Sequence, residues 1–372
     1  MVIYLTETRT ASTETLSLIE DISYPQQVHW FPESYNRIKS GMSYVPHRVA
    51  EKVLDSELLK KLRENPVKTA FILASGNAHF AGIGPIAFDN SLSYEYKFTP
   101  LTLTQVYAGR VAQSCGASDH IVTDSTACAS SLKVMMDVQN LIKFYGFKRV
   151  IVLTLEDPVS NTVLKFFGDS GAVLTQAVED AENIVPSAFD SKNYGFHIGQ
   201  GAALAVFETE DSLKVTGFKP KAKLIGAYTA SEDCPNAIGQ REDGQGFTRA
   251  MEGAMYVAGV LPYQITTVKT HGTGTKSNNV AEGNALTTTL KDFVATSFKQ
   301  KIGHTMGASG LLETILLLDN LKNGTVPPIA NRTEEDKVFL SKPASYDGGL
   351  VLSLAAGMGN VYSAAIFKDA QC

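Results

Sequence analysis

Apolar positions along the chain fall into two alternating patterns. Near-continuous apolar runs of strand length, Thr69–Leu73, Arg149–Leu155 and Ala202–Phe207, predict central strands covered on both faces. Between such runs the spacing becomes helical, as at Leu132, Met135, Met136, Val138, Leu141 and Ile142. The second half repeats this grammar. Ile265–Val268 reads as a strand, Val280–Leu290 as a helix, Leu311, Leu312, Ile315, Leu316 and Leu318 as another helix, and Gly349–Leu354 as a closing strand. Recurrent strand–helix–strand passages imply an α/β protein. Glu51–Lys68 predicts an ordinary surface helix with Leu54, Leu58, Leu59 and Leu62 on one side.

At 372 residues and 44% hydrophobic, the chain can bury one large core or two joined ones. No apolar run approaches the length of a membrane span, and the opening Met-Val-Ile-Tyr-Leu-Thr lacks the character of a secretory signal. Four cysteines (115, 128, 234 and 372) show no metal-ligand spacing and no disulfide framework, so the expected setting is the reducing cytoplasm, with Cys372 incidental. A net charge of −5 argues against nucleic-acid binding.

Three segments carry the chemistry. Cys128 lies in Thr-Ala-Cys-Ala-Ser-Ser (126–131), between a β-like run and an apolar helix. A thiol at a helix start sits among unpaired N–H groups, which predicts a stabilised thiolate and an oxyanion site. His271 lies in His-Gly-Thr-Gly-Thr (271–275). There Gly272 and Gly274 predict close approach of backbone to a ligand, and the Thr273 and Thr275 hydroxyls suit a long polar substrate arm. His304 follows Ile-Gly and precedes Gly-Ala-Ser-Gly (307–310) and a helix. Each residue alone has a bland structural reading. A cysteine and two histidines at three strand-to-helix turns point to one site.

With these motifs the chain resembles the β-ketoacyl synthases, the decarboxylating condensing enzymes of fatty acid and polyketide synthesis. Tyr-Gly-Phe-His-Ile-Gly-Gln-Gly-Ala (194–202) adds to the likeness, which runs from about Lys68 to the C-terminus; the first sixty-odd residues match poorly. The resemblance implies a thiolase-like five-layered αβαβα fold of two similar α/β halves. The charged stretch at 208–212 places their boundary, giving 1–209 with the nucleophile and 210–372 with both histidines. It also implies that Cys128 takes an acyl group from acyl carrier protein, that His271 and His304 stabilise the enolate from malonyl thioester, and that Lys299 and Glu313 pair to orient His304. Substrates would carry phosphopantetheine, with no metal or other cofactor, and the enzyme would be a homodimer. Lys52, Lys60, Lys61, Arg63 and Lys68 form the densest basic group available for an acidic carrier.

The chain departs from the family pattern near its end. Ala356, in Ser353-Leu-Ala-Ala-Gly-Met-Gly-Asn360, stands where a phenylalanine normally gates the acyl pocket. Its backbone N–H remains available for an oxyanion hole, and Met358 is placed to fill the vacated space. Gln200 and Asn279 replace usual acidic residues, while Glu282 keeps an acidic position that reads as structural. The alternatives are a chain-length-setting partner subunit of a heterodimeric ketosynthase, which would lack the nucleophile, and a CoA-dependent thiolase-like enzyme. The latter would carry a second cysteine, absent from Leu350–Tyr362, or an asparagine in place of the second histidine.

Overall fold

The computed structural model describes residues 1–12, 15–17, 27–29, 53–76, 104–156, 167, 185–236 and 238–370. Ten strands form the main sheet: β1 (Ile3–Ser12), β2 (Thr69–Ala74), β3 (His120–Asp124), β4 (Arg149–Glu156), β5 (Gly201–Glu208), β6 (Ala222–Ser231), β7 (Ile265–Lys269), β8 (Val294–Thr296), β9 (Leu350–Gly357) and β10 (Val361–Asp369). Among the described residues, the longer helices beside it are α1 (Ser56–Glu64), α2 (Thr104–Ser114), α3 (Ser130–Lys143), α4 (Gln245–Ala258), α5 (Lys276–Thr289) and α6 (Ser309–Leu321).

The strand order exposes an internal repeat. The first five strands run β3-β2-β4-β5-β1 and the last five β8-β7-β9-β10-β6, each in the same sequence of parallel and antiparallel neighbours. Among the described residues, the two sets join where Ile3, Tyr4 and Leu5 of β1 pair with β6. Helices α1, α2 and α3 occupy the same chain positions in the first set as α4, α5 and α6 in the second.

Side-chain alternation builds the layers. In β2, Phe71 and Leu73 face a core with Leu58, Leu62, Ala108 and Val111 of α1 and α2, while Ala70, Ile72 and Ala74 face α3. In β9, Leu352 and Leu354 face Phe247 and Met251 of α4, while Val351 and Ala355 face inward. Helices α3 and α6 touch strands of both sets, forming the middle of five layers. That position explains why α6 is apolar nearly all round, with Leu311, Leu312, Ile315, Leu317 and Leu318 buried.

The expected strands and helices are present, and α1 buries Leu58 and Leu62 as its pattern required. Two features differ from expectation. The poorly matching N-terminus supplies β1, an interior strand whose Ile3 and Leu5 are buried. Glu208 is not a surface charge of a linker. It is fully buried, held by Arg149 Nε at 3.0 Å and by the hydroxyls of Thr6 and Ser212.

Candidate active site

Cys128, His271 and His304 line one cavity of about 90 Å³, together with Thr273, Thr275, Ala356 and Met358. Cys128 sits on a single 3-10 turn, Ala127–Ala129, that opens α3. Ala127 has φ 48°, a left-handed conformation that costs energy for a residue with a side chain and turns the chain sharply into the helix. The second half contains the matching turn: Met306, with φ 42°, opens Met306–Ala308 ahead of α6. The two turns pack against each other. Gly307, which follows Met306 as Cys128 follows Ala127, lies so close to Gly76 and the Glu156 carboxylate that no side chain fits. Glu156 itself is buried and accepts from Ser75 Oγ at 3.1 Å and from the N–H of Gly76.

A first-half segment positions both second-half histidines. The N–H of His304 donates to the His197 carbonyl at 2.7 Å, and the N–H of Gly199 to the His304 carbonyl at 3.0 Å. The N–H of Gly195 donates to the Gly274 carbonyl at 2.8 Å. A Cβ on Gly199 would lie 2.7 Å from the Ile302 carbonyl oxygen, which is why a glycine stands there. Phe196 meets the His304 ring edge-on, with centroids 5.0 Å apart.

The His271 loop is held by Glu282, which accepts the N–H of His271 at 2.5 Å and of Gly272 at 2.9 Å. The structural reading of Glu282 therefore stands, and burial pushes its carboxyl up to about 7 against those two N–H bonds. Gly272 and Gly274 both have positive φ and pack closely against the protein: Ser297 and Thr270 crowd Gly272, and Ser187 and Gly195 crowd Gly274. Thr273 and Thr275 do reach the cavity, their hydroxyl oxygens 3.2 Å apart. Asn279 accepts the N–H of Phe189 at 3.0 Å, and Gln200 is fully buried.

His271 and His304 face each other with ring centroids 5.8 Å apart and planes at 80°. Both imidazoles are held well below the ordinary histidine range, first by burial and then by the Lys299 and Lys269 ammoniums. Nδ1 of His304 lies 2.9 Å from Ser309 Oγ. With the serine donating, the proton of the neutral ring resides on Nε2. Burial also corrects the picture of Cys128: its thiol is pushed up to about 12, with Lys299 opposing and Glu156 reinforcing the rise. The helix end does not overcome the loss of solvent, so the resting group is a thiol.

Lys299 reaches both oxygens of Glu313, at 2.8 and 3.1 Å, with both side chains fully buried. A second lysine escaped the sequence reading. Lys269 lies 3.4 Å from Glu313 Oε2 and donates to the Leu354 carbonyl at 2.6 Å. The only hint in the chain was a lysine ending an apolar strand two residues before a histidine. Met358 does line the cavity, yet 42% of it remains exposed. Of the basic group, Lys60, Lys61, Arg63 and Lys68 are exposed on the surface and do not line the cavity. Lys60 pairs with Glu64, Arg63 donates to the carbonyls of Gln113 and Ser114, and Lys68 to that of Tyr145. Lys52 and Cys372 lie outside the described residues. No helix among the described residues is long and apolar enough to cross a membrane.

The chain is similar to known proteins over most of its length. It is 30% identical over 239 residues to the 3-oxoacyl-[acyl-carrier-protein] synthase 2 of Vibrio cholerae, an alignment covering 63% of this chain and 57% of that protein. It is 27% identical over 296 residues to the enzyme of the same name from Vibrio harveyi, covering 76% and 70%. Among solved structures, a chain of the complex of a type II PKS acyl-carrier protein with its ketosynthase superposes with a TM-score of 0.85 at 18% identity. A beta-ketoacyl synthase from Burkholderia phymatum superposes with 0.80 at 20%, and both comparisons cover 99% of each chain. The family model "Beta-ketoacyl synthase, N-terminal domain" matches residues 34–212, which contain Cys128, and "Beta-ketoacyl synthase, C-terminal domain" matches 221–333, which contain both histidines. With one family matched on both sides of a shared cavity and the five-layered fold in place, the chain belongs to the β-ketoacyl synthase family, a family of condensing acyltransferases.

Proposed function

We propose that this chain is an elongating β-ketoacyl synthase with Cys128 as nucleophile and His271 and His304 as enolate stabilisers. The observation that carries the reading is the convergence of these three buried side chains on one small cavity. In the first stage the Cys128 sulfur attacks an acyl thioester held on acyl carrier protein. The carrier's pantetheine thiol departs with the proton that the Cys128 thiol gives up, leaving an acyl-enzyme. The N–H groups of Cys128 and Ala356 receive the oxyanion of this step. In the second stage malonyl thioester loses carbon dioxide, and the enolate oxygen accepts from the two Nε2–H groups. Neutral imidazoles suit this role because they donate without placing a proton acid enough to quench the carbanion. The enolate carbon then attacks the acyl carbonyl, and the Cys128 sulfur leaves as a thiolate that regains a proton.

Thr273 and Thr275 would hold the phosphopantetheine arm, and Lys299 with Glu313 would fix the His304 element. The two matched segments and the strand repeat support a division into 1–209 and 210–372. The likeness to a chain of the complex of an acyl-carrier protein with its ketosynthase supports that carrier as partner. The homodimer follows from the family, and sedimentation at micromolar concentration showing only a species of 40.1 kDa would exclude it. Cys128 in the cavity favours an enzyme over a chain-length-setting partner.

Intact mass after incubation with acyl carrier proteins of graded chain length tests the reading. A single acyl adduct is expected, absent from Cys128→Ala; an adduct surviving that substitution under native conditions would refute it.

A further inference from the structure

Two ammonium groups share one buried carboxylate behind the histidines. Lys299 already satisfies both oxygens of Glu313, so Lys269 is an additional buried cation rather than a necessary partner. Burying an ammonium is costly, and an apolar side chain of similar length would fill the same space more cheaply. Charge and reach are therefore the properties to explain. Lys269 ends β7, two residues before His271, and its Nζ bonds the carbonyl of Leu354, two residues before Ala356 on β9.

We propose that Lys269 is a positioning residue: it ties Glu313 and the histidine pair to the strand carrying Ala356, and adds a second cation facing both imidazoles. The assignment rests on the proposed reading of His271 and His304 as neutral donors. Among the described residues, Lys299 also acts on both rings, Glu313 of α6 and Glu282 of α5 act on Lys269, and Cys128, with Glu156 acting on it, shares the cavity. The lysines and the two second-half carboxylates form a quartet of two cations and two anions. Burial pushes Lys269 down to about 8 and Glu282 up to about 7. An ammonium disfavours a second positive charge nearby, so removing Lys269 makes both histidines easier to protonate.

The test is histidine titration by NMR in the full chain, with the two resonances assigned from His271→Asn and His304→Asn. In Lys269→Gln and Lys269→Met both titrations should move upward by about half a pH unit or more. Unmoved titrations in a folded variant would overturn the proposal. Glutamine keeps a donor for the Leu354 carbonyl, so malonyl decarboxylation should fall further in the methionine variant, with the acid limb displaced in both. A decarboxylation profile identical to that of the parent chain would also overturn it. Should neither variant fold, Lys269→Arg, which keeps a cation and a donor, serves instead: histidine titrations as low as in the parent chain support the assignment, and titrations moved upward by about half a pH unit or more with the cation retained overturn it. If the titrations move but no protein decarboxylates malonyl thioester, Lys269 keeps its role and the condensing reading fails instead.

Discussion

At Cys128 two effects oppose each other. The start of α3 favours a thiolate, but a side chain only 8% exposed has lost the water that a thiolate needs, and the thiol ends near 12. Alkylation of Cys128 should therefore be slow at pH 7 and rise by about tenfold per pH unit up to pH 10, since the reactive form is the scarce thiolate. A rate that levels off by pH 8 would show that the helix end prevails. The pair behind His304 gives a second expectation. Lys299→Met leaves Glu313 with only the more distant Lys269, so unfolding stability should drop by about 3 kcal/mol, the lower end for breaking a buried pair. A denaturant midpoint within experimental error of the parent would mean that Lys269 takes over fully.

Among the elements, the paired turns ahead of α3 and α6 set the geometry of the site. They can touch only because Gly307 has no side chain. Gly307→Ala should cost roughly 1–3 kcal/mol and disturb Cys128 acylation, because a Cβ there meets the backbone of Gly76, which cannot step aside. Normal acylation in this variant would show that the turns separate freely. Strand β9 brings Ala356 to the cavity. Ala356→Phe should spare short acyl groups and slow long ones, read from acylation rates with thioesters of increasing length. An unchanged chain-length profile in a stably folded variant would remove Ala356 from the acyl path.

For the whole molecule, the buried site predicts how stability follows pH. His271 and His304 are held well below 6.5, so as pH falls below 6.5 the unfolded chain protonates both positions more readily than the fold does. Each difference lowers stability on acidification. Glu282 acts in the opposite sense, since its folded value near 7 against an ordinary 4.5 means that the fold binds its proton more readily over that window. Two against one leaves a net loss of stability on acidification. Thermal unfolding followed from pH 6.5 to 4.5 should show a falling Tm, flattened in the His271→Asn, His304→Asn double variant. A Tm that holds steady or rises in the parent chain would contradict the assigned histidine states.

Much of this was legible in the chain because local rules sufficed. Strands buried on both faces must be continuously apolar, and a helix beginning at a small-residue turn marks its own start, so β2, β4, β5 and α3 could be read directly. The three chemical residues could be named because each sits at such a turn. Long-range physics decided the rest. β1 became an interior strand through partners some two hundred positions away, a pairing that no local pattern encodes. Glu208 and Lys269 look like surface charges in the sequence, and only the buried partners supplied by other elements show what neutralises them. The glycines of 272–274 were recognisable as special, yet whether they approach a ligand or the protein depended on which loops fold against them. Residue types and spacing named the reacting groups; tertiary packing, by removing water and choosing each group's neighbours, decided their protonation and support.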